Sequence, residues 1–488
     1  MLAQKPDKVC RPLEGYLVKS EDVLRLIKEK NIEMVDFHIV DLFGTWQHVT
    51  VPAGQVNDDT LTNGVPFDGS SLRGFRSIEE SDMIMVPDTS TAFVDQFHNV
   101  PTLSIICDIT DPDGVPYQRD PRRIAQNAEE YLKLTGVADT SYWGPELEFF
   151  VFDSVQFLNQ GHHAMYRVDS SEGHWNSDQE GSLGLAIRPK EGYFPPAPVD
   201  QLHHLRTAMV KALQSAGITV EMHHHEVASG GQSEIDLRFQ TLTRQADTVM
   251  TYKYVLRNVA YQHGKAVTFM PKPIFGDNGN GMHVHQSLWK DGKPLFYDAS
   301  GYARLSQLAL YYIGGILYHA PALLALTNPS TNSYRRLVPG YEAPVNIVFS
   351  HGNRSAAIRI PKTNTPQASR IEFRTPDATS NPYLAFAAAL MAGLDGILNK
   401  RDPIKLGFGP LDRNVYSLSP EELANIRSVP GSLGEALENL RQDHDWLTAG
   451  HVFSEDVIQT WINYKQQNEV DPVNLRPHPL EFELYFNS

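Results

Sequence analysis

The sequence predicts an α+β protein built of two unequal units. Three observations carry this. The first 118 residues hold several strand-like runs around a single helix signal. Asp120-Pro121 then opens a second, longer unit with the Asp-Pro pair that favours a helix start. Within that unit, strands with two-residue alternation are interleaved with long apolar helices. The expected divisions are an extension over 1–19, a first domain over 20–118 and a second domain over 119–488, with a terminal tail at 477–488.

In the first unit, Ser20, Glu21 and Asp22 give a cap and an acidic first turn to a helix running to Lys30. Strand-like runs at 33–41 and 45–51 meet at Leu42-Phe43-Gly44, which predicts a hairpin. The stretch 64–71 is polar and carries glycine, and reads as a loop; 103–108 reads as a strand.

In the second unit the Asp120 helix closes at Gly136. A strand follows at Gly144-Pro145-Glu146-Leu147-Glu148 and continues through Phe149, Phe150, Val151, Phe152 and Asp153. Residues 154–200 read as a long ordered loop region. Further helices are expected at 198–217, 243–264, 305–326 and 381–400, and strands at 219–227, 232–238 and 282–288. The run 305–326 is the most apolar. His319, Pro321 and the Gly314-Gly315 pair inside it favour a core helix over a membrane span. The tail at 477–486 is apolar enough to dock on something.

Composition narrows the function. Of 488 residues, 41% are hydrophobic and 20% charged, and the formal net charge is -16. An acidic surface argues against nucleic acid or anionic membrane as a partner. Two cysteines, Cys10 and Cys107, exclude a disulfide framework and a cysteine-rich zinc site. The first 20 residues lack the apolar core of a signal peptide, so the expected location is the cytoplasm.

Alternating strands supply the candidate chemistry. Glu146 and Glu148 share one strand face, where two desolvated carboxylates call for a cation; a wetted polar face would show the same pattern. Glu226 and Glu234 flank Ser229-Gly230-Gly231, a turn able to bring both to one side. His223-His224-His225 precede them without the H-E-x-x-H spacing of a zinc protease, and ordinary polar strand histidines fit equally. His283 and His285 again stand two apart, after glycines that allow close approach of a ligand. Arg370, Glu372 and Arg374 alternate with Ile371 and Phe373, in a region that also holds Arg335, Arg336, Arg354 and Arg359. A surface ladder of ion pairs would look identical. Taken together, glutamates, a histidine or two and several arginines suit Mg²⁺ or Mn²⁺ beside a phosphate-bearing substrate. No P-loop motif is present. The residues point to metal-dependent phosphoryl transfer.

At these positions the chain closely resembles class I glutamine synthetase, the bacterial, dodecameric and adenylylatable type. The motifs occur in order: Phe67-Asp-Gly-Ser-Ser71, Gly144-Pro-Glu-Leu-Glu148, Glu226 with Gly-Gln-Ser-Glu234, Lys272-Pro-Ile-Phe-Gly-Asp-Asn-Gly279, Gly281-Met-His283, Asn332 through Pro344, Asn353-Arg-Ser-Ala and Ile371-Glu372. The likeness covers residues 20–488. It implies a β-grasp domain followed by a catalytic domain of the glutamine-synthetase and guanido-kinase type, with a curved antiparallel sheet. It implies ATP-dependent ligation of ammonia to L-glutamate through a γ-glutamyl phosphate, in nitrogen assimilation.

The resemblance also assigns residues. Glu148, Glu226 and Glu234 would hold one Mg²⁺ or Mn²⁺, and Glu146, His283 and Glu372 another, with two or more ions per active site. Asn278, Gly279, Arg336, Glu342 and Arg374 would hold glutamate. Glu221, Phe239, His285, Ser287, Arg354 and Arg359 would contact ATP, with Arg354 also counted as catalytic. Asp68 and Tyr193 would form the ammonium site, and Glu342 would guard the intermediate. Asp68 would act in a neighbour's site within a homododecamer of two hexameric rings, locked by the tail. Tyr416 would be the target of an adenylyltransferase, and the insertion at 154–180 fits that subclass.

Several positions depart from the family pattern. Gln367 stands where a lysine is common near ATP, and Phe75 where a tryptophan is common, keeping a stacking ring. Two other readings share the motifs: a γ-glutamyl ligase for amines, and a catalytically silent relative, which should have lost metal ligands.

Overall fold

The computed structural model describes residues 19–76, 81–413, 418–419, 422 and 426–488. The first unit is a mixed six-stranded sheet with a helix against it. Helix α1 spans Ser20–Glu29 and buries Val23. Strands β1 (Met34–Val40) and β2 (Trp46–Pro52) form the expected hairpin, and helix α2 (Asp58–Asn63) follows. Next come β3 (Val65–Asp68), β4 (Asp82–Pro87), β5 (Phe93–Asp95) and β6 (Thr102–Thr110). The order is β2-β1-β6-β4-β3, with β5 paired to β6. Only β1 and β6 run parallel. The stretch expected as a loop at 64–71 is half strand: β3 pairs with β4, and the turn starts only at Gly69. Backbone pairing overrides its polar composition.

Helix α3 (Pro121–Leu134) starts as its sequence dictates, with the Asp120 carboxylate accepting from the Arg122 amide and Pro121 at the first position. Gly136 follows it in the left-handed region, at φ 69°. Arg122 is buried and bonds Asp88 and Asp108 of the first unit and Asp247 of a later helix, tying the two units together.

The second sheet has ten strands. Its long central member, β7 (Thr140–Phe152), begins four residues before the glycine that the sequence marked. The segment expected as loop at 154–200 opens with a hairpin, β8 (Ser154–Gln160) and β9 (His163–Asp169). Helix α4 (His203–Ser215) begins later than expected, after the proline-rich run. The sheet continues with β10 (Val220–His225), β11 (Gln232–Leu237), β12 (Gln240–Thr241), β13 (Ala266–Thr268), β14 (Met282–Lys290), β15 (Lys293–Pro294), β16 (Asn346–His351), β17 (Ala356–Ile360) and β18 (Ile371–Phe373). The main order is β10-β11-β7-β14-β18-β17-β16. The antiparallel expectation holds for every pair except β16 and β17, which are parallel, so the sheet is mixed.

One face of this sheet is apolar. Leu147, Phe149, Ile235, Met282, Val284, Ile371 and Phe373 join the core with α5 (Leu242–Gln262), α6 (Gln307–Thr327) and, beyond the short α7 (Ser333–Arg336), α8 (Pro382–Leu398). Helix α6 is apolar enough to cross a membrane, yet 78% of its most apolar window is buried, as expected of a core helix. Gly315 and Gly396 let α6 and α8 touch: a β-carbon on Gly315 would lie 2.0 Å from the Ala392 carbonyl oxygen. The tail forms a short helix, Pro479–Tyr485, whose Leu480, Phe482 and Leu484 are exposed.

Candidate functional site

Strand alternation leaves the other sheet face to polar groups, and register decides which of them meet. Glu148 stands opposite Glu234, and Glu234 opposite His224, across β7, β11 and β10. One step along, Asp236, Glu146 and His283 form a row across β11, β7 and β14. His285 faces Glu372, and Glu372 faces Arg359, across β14, β18 and β17. Glu226 sits at the end of β10, where its amide donates to Gln232 across the glycine turn (2.9 Å).

This register gathers two cation-sized clusters. Ligand atoms of Glu148, Glu226 and Glu234 lie within 4.8 Å of one another, and so do those of Glu146, His283 and Glu372. These are the two sets the sequence resemblance pairs. A third such set joins His224, Glu234 and Asp236.

The electrostatics show how crowded the acids are. Burial and the neighbouring Glu226 push Glu148 up to about 7, although it accepts from the Gly281 amide (2.8 Å). Burial, Glu226 and Glu148 raise Glu234 well above the carboxylate range. Burial and Glu146 bring Asp236 to about 7. Glu372 differs. Burial raises it, but Arg374 and the two histidines outweigh that and hold it at about 2. Burial and Arg374 lower His283 to about 4, leaving a neutral imidazole able to donate a lone pair. Buried carboxylates that repel one another, with a neutral histidine among them, fit hard divalent cations.

Two cavities meet over this sheet. The first, about 570 Å³, is lined by both clusters and by Asn278, Gly279, Arg336, Arg374, Tyr193 and Glu342. The second, about 970 Å³, is lined by His285, Arg354, Arg359, Lys362, Arg370 and Arg413. Glu146, Glu342, Arg354 and Arg359 line both. An acidic chamber therefore opens onto a cationic one.

The remaining expected residues are placed as follows. Arg336 is buried, its guanidinium donating to the carbonyls of Thr375 (2.7 Å) and Arg374 (3.2 Å). Arg374 and Arg359 both bond Glu372. Glu342 accepts from the Asn278 amide (3.2 Å). His285 bridges Glu146 (2.8 Å) and Arg370 (3.1 Å). Tyr193 is half exposed and stacked on Phe194, with ring centroids 3.9 Å apart.

Glu221 accepts from Arg238 (3.3 Å), and the Phe239 ring lies beside Arg238 and Tyr142. The Ser287 hydroxyl accepts from Trp289 (3.1 Å). Glu221, Phe239 and Ser287 line neither chamber. Asp68 also lies outside both, its carboxylate bonded to Ser70 and exposed. Tyr416 falls outside the described residues.

The structure refines three sequence readings. The Phe75 ring contact lies inside the protein: the side chain is buried in the first core, tilted against Tyr117 at 5.2 Å. The glycines before His283 make room for protein, not only for a ligand. A β-carbon on Gly281 would stand 2.5 Å from the Arg336 guanidinium and 2.9 Å from His283 Nε2. Of the three consecutive histidines, His225 is structural, buried against Glu172 (3.0 Å), and His223 packs on Arg206 and Thr207.

His224 belongs to the site, 3.5 Å from Glu226 and 3.4 Å from Glu234. The sequence reading left His224 open and passed over Asp236 and Lys362. The first two carry a signal, since each stands two residues from a recognised glutamate on the same strand face.

Fold and site together define a two-domain enzyme built to hold cations between anionic groups. Residues 31–112 match the glutamine synthetase β-grasp domain, and residues 118–485 match the glutamine synthetase catalytic domain. A glutamine synthetase of Microchaete diplosiphon is 58% identical over 471 residues, covering 96% of this chain and 99% of that protein. One from Mycolicibacterium smegmatis is 53% identical, covering 96% and 99%. Among solved structures, the Plasmodium falciparum glutamine synthetase superposes with a TM-score of 0.86 at 31% identity, covering 96% of this chain and 99% of the other. The GmaS/ADP complex does so with 0.80 at 26%, covering 96% and 100%. The chain belongs to the glutamine synthetase family.

Proposed function

We propose that this chain ligates ammonia to L-glutamate at the expense of ATP, through a γ-glutamyl phosphate, as a bacterial class I enzyme. The observation that carries the reading is the pair of buried cation-sized clusters lying where an acidic chamber meets a cationic one.

Glu148, Glu226 and Glu234 would hold one divalent ion, and Glu146, His283 and Glu372 a second; both donor sets suit Mg²⁺ or Mn²⁺. When bound, such ions offset the charge of the transferring phosphoryl group. The protein's own groups do the rest. Arg336 and Arg374, with Asn278 and Gly279, orient the glutamate carboxylates in the acidic chamber. Arg354, Arg359, Lys362 and Arg370 receive the polyphosphate in the cationic one, in keeping with the ADP named for the GmaS complex. Lys362 adds an ammonium to the guanidinium groups of that chamber. The γ-carboxylate then attacks the γ-phosphate, ADP leaves, and ammonia displaces phosphate.

Asp68 and Tyr193 prepare ammonia from ammonium, with Asp68 reaching in from an adjoining subunit. That placement agrees with its exposure and its absence from its own chamber. The assembly is a dodecamer of two hexameric rings, with the apolar tail at 477–488 in the ring-to-ring contact, and Tyr416 is the residue an adenylyltransferase modifies. Glu342 closes the chamber and keeps water from the intermediate.

The decisive assay follows phosphate release with ATP, Mg²⁺ and glutamate, adding either ammonium or methylamine. Turnover with ammonium supports the proposal; turnover confined to the amine refutes it.

A further inference from the structure

Glu342 lies in the left-handed region, at φ 58°, a conformation that costs energy for a residue with a β-carbon. Something must hold the segment there. The neighbouring residue, Tyr341, is gripped by two lysines. Lys272 Nζ lies 3.8 Å from the centroid of its ring and Lys190 Nζ 4.2 Å from it. Lys190 also donates to the Gly340 carbonyl (3.1 Å).

Both lysines trace back to one buried aspartate. The Lys190 amide donates to the Asp277 carboxylate (3.2 Å), and the Lys272 ammonium donates to the Asp277 carbonyl. The other Asp277 oxygen accepts from the amide and hydroxyl of Ser229, both at 2.7 Å. Ser229 belongs to the turn between Glu226 and Glu234. The grip on Tyr341 is thus built from the same framework as the acidic cluster.

We propose that Lys190, Lys272 and Tyr341 form a latch that holds the Glu342 segment shut over the acyl phosphate. They are positioning residues: their contacts offset the strain at Glu342 and set how long the chamber stays closed. This rests on the reading of Glu342 as the guard. When the latch opens early, water adds to the acyl carbon, the bond from that carbon to the phosphate oxygen breaks, and glutamate and phosphate are released. ATP is then spent without glutamine.

The test measures phosphate released per glutamine formed. Tyr341→Leu removes the ring face, and the double variant Lys190→Met with Lys272→Met removes both charges. Each should raise the ratio about threefold or more, as loss of cation–π contacts implies. Tyr341→Phe keeps the ring face and should stay at the parent ratio. Thermal midpoint and Mn²⁺ binding establish that each variant is folded; if one is not, the other decides. Glu342→Ala separates the two readings. If it leaks while folded latch variants remain coupled, the latch is refuted alone. If Glu342→Ala and the latch variants all stay coupled, the guard reading fails and the latch with it.

Discussion

Glu148 and Glu234 stand directly opposite each other on adjacent antiparallel strands, both buried. Burial and mutual repulsion keep the two carboxyls from ionising together, so the metal-free protein holds this pair at a cost that a cation removes. Glu234→Gln should therefore make the metal-free protein more stable by about 1 kcal/mol while abolishing binding at that cluster. Calorimetric unfolding without metal, together with Mn²⁺ titration followed by electron paramagnetic resonance, checks both halves. A variant that is less stable and still binds the full complement of Mn²⁺ contradicts the assignment.

Gly281→Ala probes the other edge of the chamber. Its methyl group would press on Arg336 and His283. The KM for glutamate should rise about tenfold or more, since small misplacements near the reacting groups are costly. An unchanged KM would show that Arg336 has no part in holding glutamate.

The proposed sharing of each site between two subunits can be tested by complementation. Asp68→Ala and Glu148→Gln should each be nearly inactive. Reassembly of an equimolar mixture should restore activity at about a quarter of the sites, those pairing an intact loop with an intact cluster. If the mixture is no more active than its components, Asp68 does not act in a neighbour's site.

His319 supplies a pH test away from the chemistry. It is buried on α6 between Asp395 (2.9 Å) and Asp443 (2.8 Å). Burial lowers its pKa, but the two carboxylates outweigh burial and raise it above its ordinary value of 6.5. The charged imidazolium thus favours the folded form. That stability is fully present below pH 6.5 and is lost as pH rises through the raised value. His319→Gln should lower the thermal midpoint by about 2 °C or more at pH 6, with the gap narrowing towards pH 9. A gap independent of pH would mean that stacking on Trp446, with ring centroids 4.7 Å apart, and not charge, is what the residue contributes.

Much of this protein was legible in its chain. Alternation alone put Glu146 with Glu148, His283 with His285, and Glu372 with its flanking arginines, because a strand's side-chain period is fixed by its backbone. Asp120-Pro121 set the start of α3 for an equally local reason. Motif order carried the family.

What alternation could not give, and only the family resemblance anticipated, is which faces meet. Glu148 joins Glu226 and Glu234, while Glu146, two residues away, joins His283 and Glu372. That partition depends on the register of β7 against β11 on one side and β14 on the other, between segments far apart in sequence. The same holds for His224, for Asp236 and for the two lysines on Tyr341. Period is a property of one strand and can be read from it; register is settled only when strands pack, and here it sorts a row of like charges into two places for a cation.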